Sequence, residues 1–168
     1  MKLIPLPLET QVRTGKSHKL IIDYRDLNGT SATLMQGQSQ TFAAAWTTAT
    51  AQAVIPPNAL GASSVTVPAG TQVVGTTLVN VTTAFVGPST TVLTLSLGDG
   101  GSTTRFVSAI DLLTAGYKTS AVANYTYIAA DTIDAIATIT GGTMGGLTAG
   151  EVEILVNILP GADLTGVR

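Results

Sequence analysis

The chain has 168 residues, of which 11% are charged, with a formal net charge of −2 and no cysteine. This length suits one domain with its own core. The small net charge excludes a strongly basic surface for nucleic acid, and the lack of cysteine excludes disulfides and thiolate metal sites. No apolar run approaches the roughly 20 residues of a membrane-spanning helix. We therefore expect neither nucleic acid nor membrane among the partners.

Charged residues are distributed unevenly along the chain. None occurs from Leu27 to Gly98, where Thr, Ser, Gln and Asn are interleaved with Ala, Val and Leu. A typical soluble domain has about a quarter charged residues. An uncharged surface can dock on another protein without the cost of desolvating an ion. Because the same region offers almost nothing for acid–base chemistry, the composition favours an assembly protein, and we expect no enzymatic activity.

The first 17 residues are predicted to form an extended N-terminal arm. Pro5 and Pro7 fix their own backbone and disfavour helix in the residues before them, so residues 3–8 should be extended. An apolar arm with little core of its own needs a surface to lie against. A frayed terminus or an edge strand is the open alternative. Residues 18–168 are assigned to a single β-sandwich domain.

A period of two runs through most of the remaining sequence and predicts β-strands. Leu20, Ile22 and Tyr24 alternate with Lys19, Asp23 and Arg25, and Asn28-Gly29 is a preferred hairpin pair. Further strands are expected over residues 32–35, 40–48, 64–67, 78–85, 92–97, 134–140 and 152–158.

One segment departs from this period. Between residues 108 and 115, Ile110, Leu112 and Leu113 lie near helical spacing, and Gly116 stands where a helix often ends, which predicts a short helix. About eight short strands separated by turns are typical of a sandwich or barrel. The predicted fold class is therefore all-β, an antiparallel β-sandwich with an extended N-terminal arm and one short helix.

The apolar members of the predicted strands define the expected core. Turns should connect these strands at residues 68–70 and 98–101, where Pro and Gly cluster. The expected core residues are Leu20, Ile22, Phe42, Trp46, Val79, Val81, Phe85, Leu93, Leu95, Ile136 or Ile139, Val152, Ile154 and Val156.

Four aspartates are the main candidates for site chemistry. Asp99, Asp111, Asp131 and Asp134 could converge and bind Ca²⁺ through loop oxygens, although they match no regular calcium-loop spacing. A glycosidase-like carboxylate pair is the enzymatic alternative, and roles in turns and caps are favoured over both. The single histidine, His18, cannot build a usual zinc site without cysteine. We therefore expect no metal and no other cofactor.

The stretch from Val67 to Leu159 carries a pattern of turns and strands that resembles a known family. The pattern comprises Val67-Pro68-Ala69-Gly70-Thr71, the strand over 78–85, Leu95-Ser96-Leu97-Gly98-Asp99-Gly100, Arg105-Phe106, Asp111-Leu112, Ala115-Gly116, and residues 127–135, 138–143 and 149–153. In order and spacing these resemble small virion structural proteins of tailed phages, of the capsid decoration or cement type.

The resemblance implies a jelly-roll-like sandwich on the capsid exterior of the virion. Such a protein binds the major capsid protein and stabilises the expanded shell, commonly as a homotrimer; the strand order itself stays open among sandwiches. The alternative is a head, neck or tail fibre or adhesin component with receptor or glycan binding. The residues expected to contact the capsid are Lys2, Leu3, Ile4, Leu6, Leu8 and Arg13.

Overall fold

The computed structural model describes residues 2–5, 18–28, 51–53, 65–122 and 124–159. The strands expected over 32–35 and 40–48, with Phe42 and Trp46, lie outside the described residues. The elements in chain order are β1 (Lys2–Pro5), β2 (His18–Asp23), α1 (Tyr24–Asn28), β3 (Ala51–Ala53), β4 (Val65–Val67), β5 (Gln72–Val73), β6 (Thr76–Val86), β7 (Val92–Asp99), β8 (Ser102–Asp111), β9 (Gly116–Val122), β10 (Tyr125–Thr126), β11 (Asp131–Thr140), a 3₁₀ turn (Met144–Gly146), β12 (Ala149–Val156) and β13 (Ile158–Leu159).

The described strands form two main sheets and a small third one. One main sheet has the order β1-β2-β12-β6-β9, and the other has the order β3-β11-β7-β8 with β4 also paired to β11. In the small sheet β5 lies between β10 and β13. Every described pair is antiparallel. The predicted all-β antiparallel sandwich is confirmed, and the jelly-roll strand order stays a prediction.

One apolar core draws on both main sheets. In β7 the side chains of Leu93, Leu95 and Leu97 are buried while Thr94 and Ser96 are only half-buried, as alternation in a strand requires. The sequence left Ile136 and Ile139 of β11 as alternative core residues, and Ile139 is the one that is buried. The predicted core residues found buried are Leu20, Ile22, Val79, Val81, Phe85, Leu93, Leu95, Ile139, Val152, Ile154 and Val156.

Two β-bulges interrupt the pairing of β6 with β12. They lie between Val81 and Val86, where β6 has more residues than the paired segment of β12. Because the two bulges together restore the alternation, Phe85 is buried on the same side as Val81. Gly150 lies opposite with φ +134°, and a Cβ there would collide with the Phe85 ring.

The helix predicted over residues 108–115 is wrong. Residues 108–111 belong to β8, and the chain then bends into β9. Asp111 lies opposite Thr94, and the Leu112 N–H donates to the Leu93 carbonyl at 2.9 Å, so pairing with β7 outweighs the local helical spacing. Gly116, with φ +124°, begins β9 instead of ending a helix.

The one short helix in the described residues is α1, at the place where the sequence pattern predicted the end of a strand and a hairpin. Asp23 Oδ1 accepts the N–H groups of Arg25 at 2.7 Å and Asp26 at 3.2 Å, and Asp26 Oδ2 accepts the Asp23 N–H at 3.0 Å. This reciprocal capping favours a helix start after Asp23. The strand prediction through Arg25 is therefore wrong, since Tyr24–Asn28 is helical. Gly29 and the second strand of the predicted hairpin lie outside the described residues.

Both predicted turns are confirmed. Gly70 has φ +81° in the turn after β4, where the Thr71 N–H donates to the Pro68 carbonyl at 3.2 Å. In the β7–β8 hairpin Asp99 lies opposite Ser102, and the two intervening glycines make the turn.

We expect Leu95→Asp to abolish cooperative folding. Leu95 is fully buried, so the substitution would place an unpaired charge in the core. Ser108→Asp is the control on the neighbouring strand β8, because Ser108 is exposed, and it should change the free energy of unfolding by less than about 1 kcal/mol. Circular dichroism during urea denaturation measures both. Cooperative unfolding of Leu95→Asp near the native midpoint would contradict the assigned core.

Candidate interaction surfaces

The strand connections gather at two opposite ends of the sandwich. The neighbouring strands β7 and β11 run antiparallel, so Val92 and Thr140 lie at one end and the Asp99 and Asp131 ends of these strands at the other. We call the first the uncharged end and define it as residues 86–92 and 140–149. The second, built on residues 67–71, 98–102 and 125–134, is the acidic end.

The uncharged end contains no Asp, Glu, Lys or Arg. It exposes two aliphatic side chains, since Val86 is 55% and Val92 46% accessible. Its two loops are joined by backbone hydrogen bonds, from Thr148 N–H to the Val86 carbonyl at 2.8 Å and from Thr91 N–H to the Thr140 carbonyl at 2.9 Å. The result is an ordered surface of methyl and hydroxyl groups that another protein can cover without desolvating an ion.

A fully buried carboxylate organises the acidic end. Asp99 is 0% exposed, and its Oδ2 accepts a hydrogen bond from Arg105 Nε at 2.5 Å. Its Oδ1 accepts the N–H groups of Gly101 at 3.0 Å and Ser102 at 2.8 Å. These contacts satisfy the carboxylate in its site and close the β7–β8 turn. Asp99 thus has the structural turn role that its sequence position favoured.

Arg105 connects this carboxylate to a stack of tyrosines. Its guanidinium carbon lies 3.8 Å from the centre of the Tyr125 ring, and the Tyr125 and Tyr127 rings meet edge to face with centroids 4.9 Å apart. Burial raises the pKa of Tyr127, and the charges of Asp99 and Asp131 raise it further. Its buried hydroxyl has no hydrogen-bond partner in the described part of the chain.

Two short apolar turns project beyond this stack, and together they form what we call the tip, residues 68–70 and 128–130. All six residues of the tip are exposed, and Ile128 is 93% accessible. The turns are tied together by hydrogen bonds from Gly70 N–H to the Tyr127 carbonyl at 2.6 Å and from Tyr127 N–H to the Thr71 carbonyl at 2.8 Å. The tip is therefore an exposed apolar knob held on a buried aromatic base.

Three of the four candidate aspartates converge at the acidic end. Asp131 lies against the β7–β8 turn, its Oδ1 3.4 Å from the position of a Cβ on Gly100, and Asp134 lies opposite Gly98. Partial burial raises the pKa of Asp134, an effect opposed by a hydrogen bond from Thr132 and reinforced by the charges of Asp131 and Asp99. Neither Asp131 nor Asp134 forms an ion pair with any described residue.

The fourth aspartate, Asp111, lies apart from this group. Its Oδ1 accepts the Leu113 N–H at 3.0 Å, and its Oδ2 is 3.7 Å from Lys118 Nζ. Within the described ranges no group of three His, Asp or Glu side chains could hold a metal ion, so the geometry there gives the calcium interpretation no support. A carboxylate pair that uses Asp99 is unsupported as well, because Arg105 and two backbone N–H groups occupy its oxygens.

The capsid-contact residues predicted in the arm fall into two groups. Lys2, Leu3 and Ile4 belong to β1, the outermost described strand of its sheet, which pairs with β2 from Lys2 opposite Ile21 to Pro5 opposite His18. The boundary drawn at residue 17 therefore separates two paired strands. Those lying outside the described residues are Leu6, Leu8 and Arg13.

His18 and Pro5 lie at the same end of the sandwich as the tip. His18 is opposite Val156, and from there the chain passes to β13, whose Ile158 is opposite Val73. Strand β1 thus ends at Pro5, and β2 begins at His18, on the acidic end. Partial burial lowers the pKa of His18.

Sequence reasoning named the acidic residues but missed the tip. Tyr127 and Ile128 are adjacent in the sequence, but Tyr127 is buried and Ile128 is exposed. The sequence signal that could have indicated the tip was the pair of short turns rich in small residues at 68–70 and 128–130.

No helix in the described part of the chain is both long and apolar enough to cross a membrane.

Comparisons with known proteins give two similar solved structures. The chain is 20% identical to a chain of the cyanophage Pam1 capsid asymmetric unit, with 68% of this chain and 74% of that chain covered and a TM-score of 0.44. It is 22% identical to a chain of the acid-stable capsid of Helicobacter pylori bacteriophage KHP30, with 57% and 75% covered and a TM-score of 0.37. No family model and no curated protein matches. Both similarities are too low to establish a shared fold or function for this chain.

Asp134→Asn is expected to raise the midpoint of urea unfolding at pH 7. Because the pKa of Asp134 is raised in the fold, its ionised form costs stability at neutral pH. This cost falls as the pH drops through the raised folded pKa and is gone below the ordinary value of 3.8, so the gain should vanish there.

Asp111→Asn is the matched control with the opposite sign. Although partial burial works against it, hydrogen bonds from Leu113 and Thr114 and the charge of Lys118 lower the pKa of Asp111. Its stabilising contribution is present above pH 3.8 and is lost as the pH falls through the lower folded pKa, so the asparagine variant should unfold earlier at pH 7. Shifts of the same sign in both variants would contradict the electrostatic assignment.

Proposed function

We propose that this protein is a virion structural protein that decorates and stabilises an expanded phage capsid by binding the major capsid protein. The observation that carries the proposal is the uncharged end, where residues 86–92 and 140–149 present an ordered surface without one ionisable side chain. A surface of this kind suits permanent contact with other protein subunits. The residue pattern of 67–159, which resembles decoration proteins, points in the same direction.

Cementing is a linkage effect and requires no catalysis. A protein that binds the expanded shell better than its precursor stabilises the expanded state by the binding free energy, summed over many sites. Of the carboxylates that the structure describes, Asp99 is engaged in a turn, and no cluster there could hold a metal. We accordingly propose a non-enzymatic protein of the capsid exterior.

The proposed assembly has two contacts. Sister subunits pack through the uncharged end into a homotrimer, since identical uncharged patches can meet without bringing like charges together. The arm residues Lys2, Leu3, Ile4, Leu6, Leu8 and Arg13 contact the major capsid protein.

The homotrimer gives an expected mass of about three times 17.1 kDa in light scattering across a concentration series. Val92→Asp should shift this mass towards the monomer while leaving the protein folded, because it places a charge in the uncharged end. Ser108→Asp, an exposed position on β8, is the control that should remain trimeric. A native chain that is monomeric at all concentrations would contradict self-association through this surface.

The arm contact is tested by co-sedimentation with expanded shells that lack this protein. Deleting residues 1–9 should leave a folded domain that no longer binds, because the lost residues include five of the six proposed contact residues. Since the deletion also removes β1 from the edge of β2, Leu6→Ser with Leu8→Ser is the finer variant that keeps β1 in place. Undiminished binding by both variants would show that the arm is not the contact.

A fibre or adhesin component is the second candidate, favoured by one observation. Tyr117 on the described edge strand β9 is 78% exposed, and exposed aromatic rings are common platforms for sugars. A native protein that ignores shells but binds glycans, and loses this binding in Tyr117→Ala, would favour the adhesin over the decoration protein.

A further inference from the structure

We infer that the tip, residues 68–70 and 128–130, is a docking knob for a protein surface that offers an apolar hollow bordered by Lys or Arg side chains. Identifying that surface with the capsid shell rests on the proposed function. The tip itself is defined by the described residues at the acidic end, apart from the uncharged end and the arm.

The first support is apolar exposure on a fixed support. Ile128 is 93% accessible and stands beside five further exposed residues, Pro68, Ala69, Gly70, Ala129 and Ala130, none of which carries a polar side chain. Two backbone hydrogen bonds hold the turns together, and the buried Tyr127 ring lies beneath them. A knob already fixed in its bound shape loses little conformational entropy when it docks, so its burial contributes more fully to affinity.

The second support is negative charge beside the knob that no described basic side chain compensates. Asp131 directly follows the tip, Asp134 lies three residues further along β11 opposite Gly98, and neither forms an ion pair with a described residue. Partial burial raises the pKa of Asp134, and repulsion by the charges of Asp131 and Asp99 raises it further. A cationic group on a partner would relieve this repulsion, which favours a partner with a basic rim around its apolar hollow.

The described part of a second copy of this chain offers the tip no free cation. Every basic side chain that the structure describes is already paired within the chain: Lys19 with Glu153, Arg25 with Asp23, Arg105 with Asp99 and Lys118 with Asp111. Two tips meeting about a twofold axis would also bring Asp131 and Asp134 against their equivalents. Charge complementarity therefore favours a different protein as the occupant.

The position of the tip is consistent with the capsid shell as its binding partner. Strand β1 ends at Pro5 and β2 begins at His18 on the acidic end, and the proposed contact residues Leu6, Leu8 and Arg13 lie between these two strands in the sequence. The uncharged end lies at the opposite end of the strands. One molecule could thus contact the shell with its arm and tip while sister subunits cover its other end.

The test measures the affinity for purified expanded shells lacking this protein, with native, Ile128→Ser, Asp134→Asn and Tyr117→Ser chains. Ile128→Ser should weaken binding about tenfold or more, because it removes the buried centre of the contact. Tyr117→Ser also removes one exposed apolar side chain, but on β9 away from the tip, and should bind like the native chain.

Asp134→Asn separates docking from structural support. It should weaken shell binding at pH 7 and reduce the loss of affinity on adding salt, while raising the unfolding midpoint. A residue needed only for folding would move stability and binding in the same direction. The trimer mass of each variant is measured alongside, so that a change in avidity is recognised.

Native affinity in both Ile128→Ser and Asp134→Asn would overturn the inference while leaving the decoration function intact. If the native chain itself does not bind shells, the proposed function fails, and the shell is excluded as the occupant of the tip. Equal weakening by Tyr117→Ser and Ile128→Ser would also overturn it, since the effect would then follow from apolar area anywhere on the surface.

Discussion

The acidic end of this protein depends on one carboxylate that does not reach water. Asp99 is fully buried, and a buried charge is tolerated only when its oxygens are satisfied. Gly101, Ser102 and Arg105 supply the donors and thereby fix the β7–β8 turn. Arg105 bonds Asp99 while its guanidinium lies over the Tyr125 ring, and Tyr125 in turn packs against Tyr127. The orientation of the tip thus follows, contact by contact, from the burial of Asp99.

The opposite end is ordered without any charge. There the loops depend on backbone hydrogen bonds and on small residues that permit close packing, such as Gly141 and Gly142 against the turn at residues 88–91. Charge pairs act over a distance and are sensitive to salt, whereas contacts between methyl and hydroxyl groups depend on complementary shape and on short-range hydrogen bonds. The two ends therefore suit different partners, one of matching shape and one of opposite charge.

Alternation along the strands made most of the core predictable. Leu93, Leu95 and Leu97 follow the period of a half-buried strand, and the structure buries all three. Prediction failed where a local signal competed with pairing across strands. At Asp111 the ladder with β7 outweighed a helical spacing, and at Asp23 a capping interaction ended a strand that alternation would have continued. The pairing partner of Asp111 is Thr94, which is distant in the sequence. The capping partner of Asp23 is the nearby Asp26, whose role is easily overlooked beside the alternation.

The convergence of Asp99, Asp131 and Asp134 shows a further limit of sequence reasoning. The three residues lie on two strands whose pairing brings Asp134 opposite Gly98, and no spacing in the sequence encodes that register. Nor does the sequence tell which carboxylate is neutralised. Arg105 follows Asp99 closely in the sequence, but Tyr125, whose ring it covers, comes much later in the chain.

Once Asp99 has paired with Arg105, no other ion pair among the described residues offsets the repulsion between Asp131, Asp134 and Asp99. A partner cation placed beside the tip would remove it, so part of the binding free energy would come from relief of strain already present in the free protein.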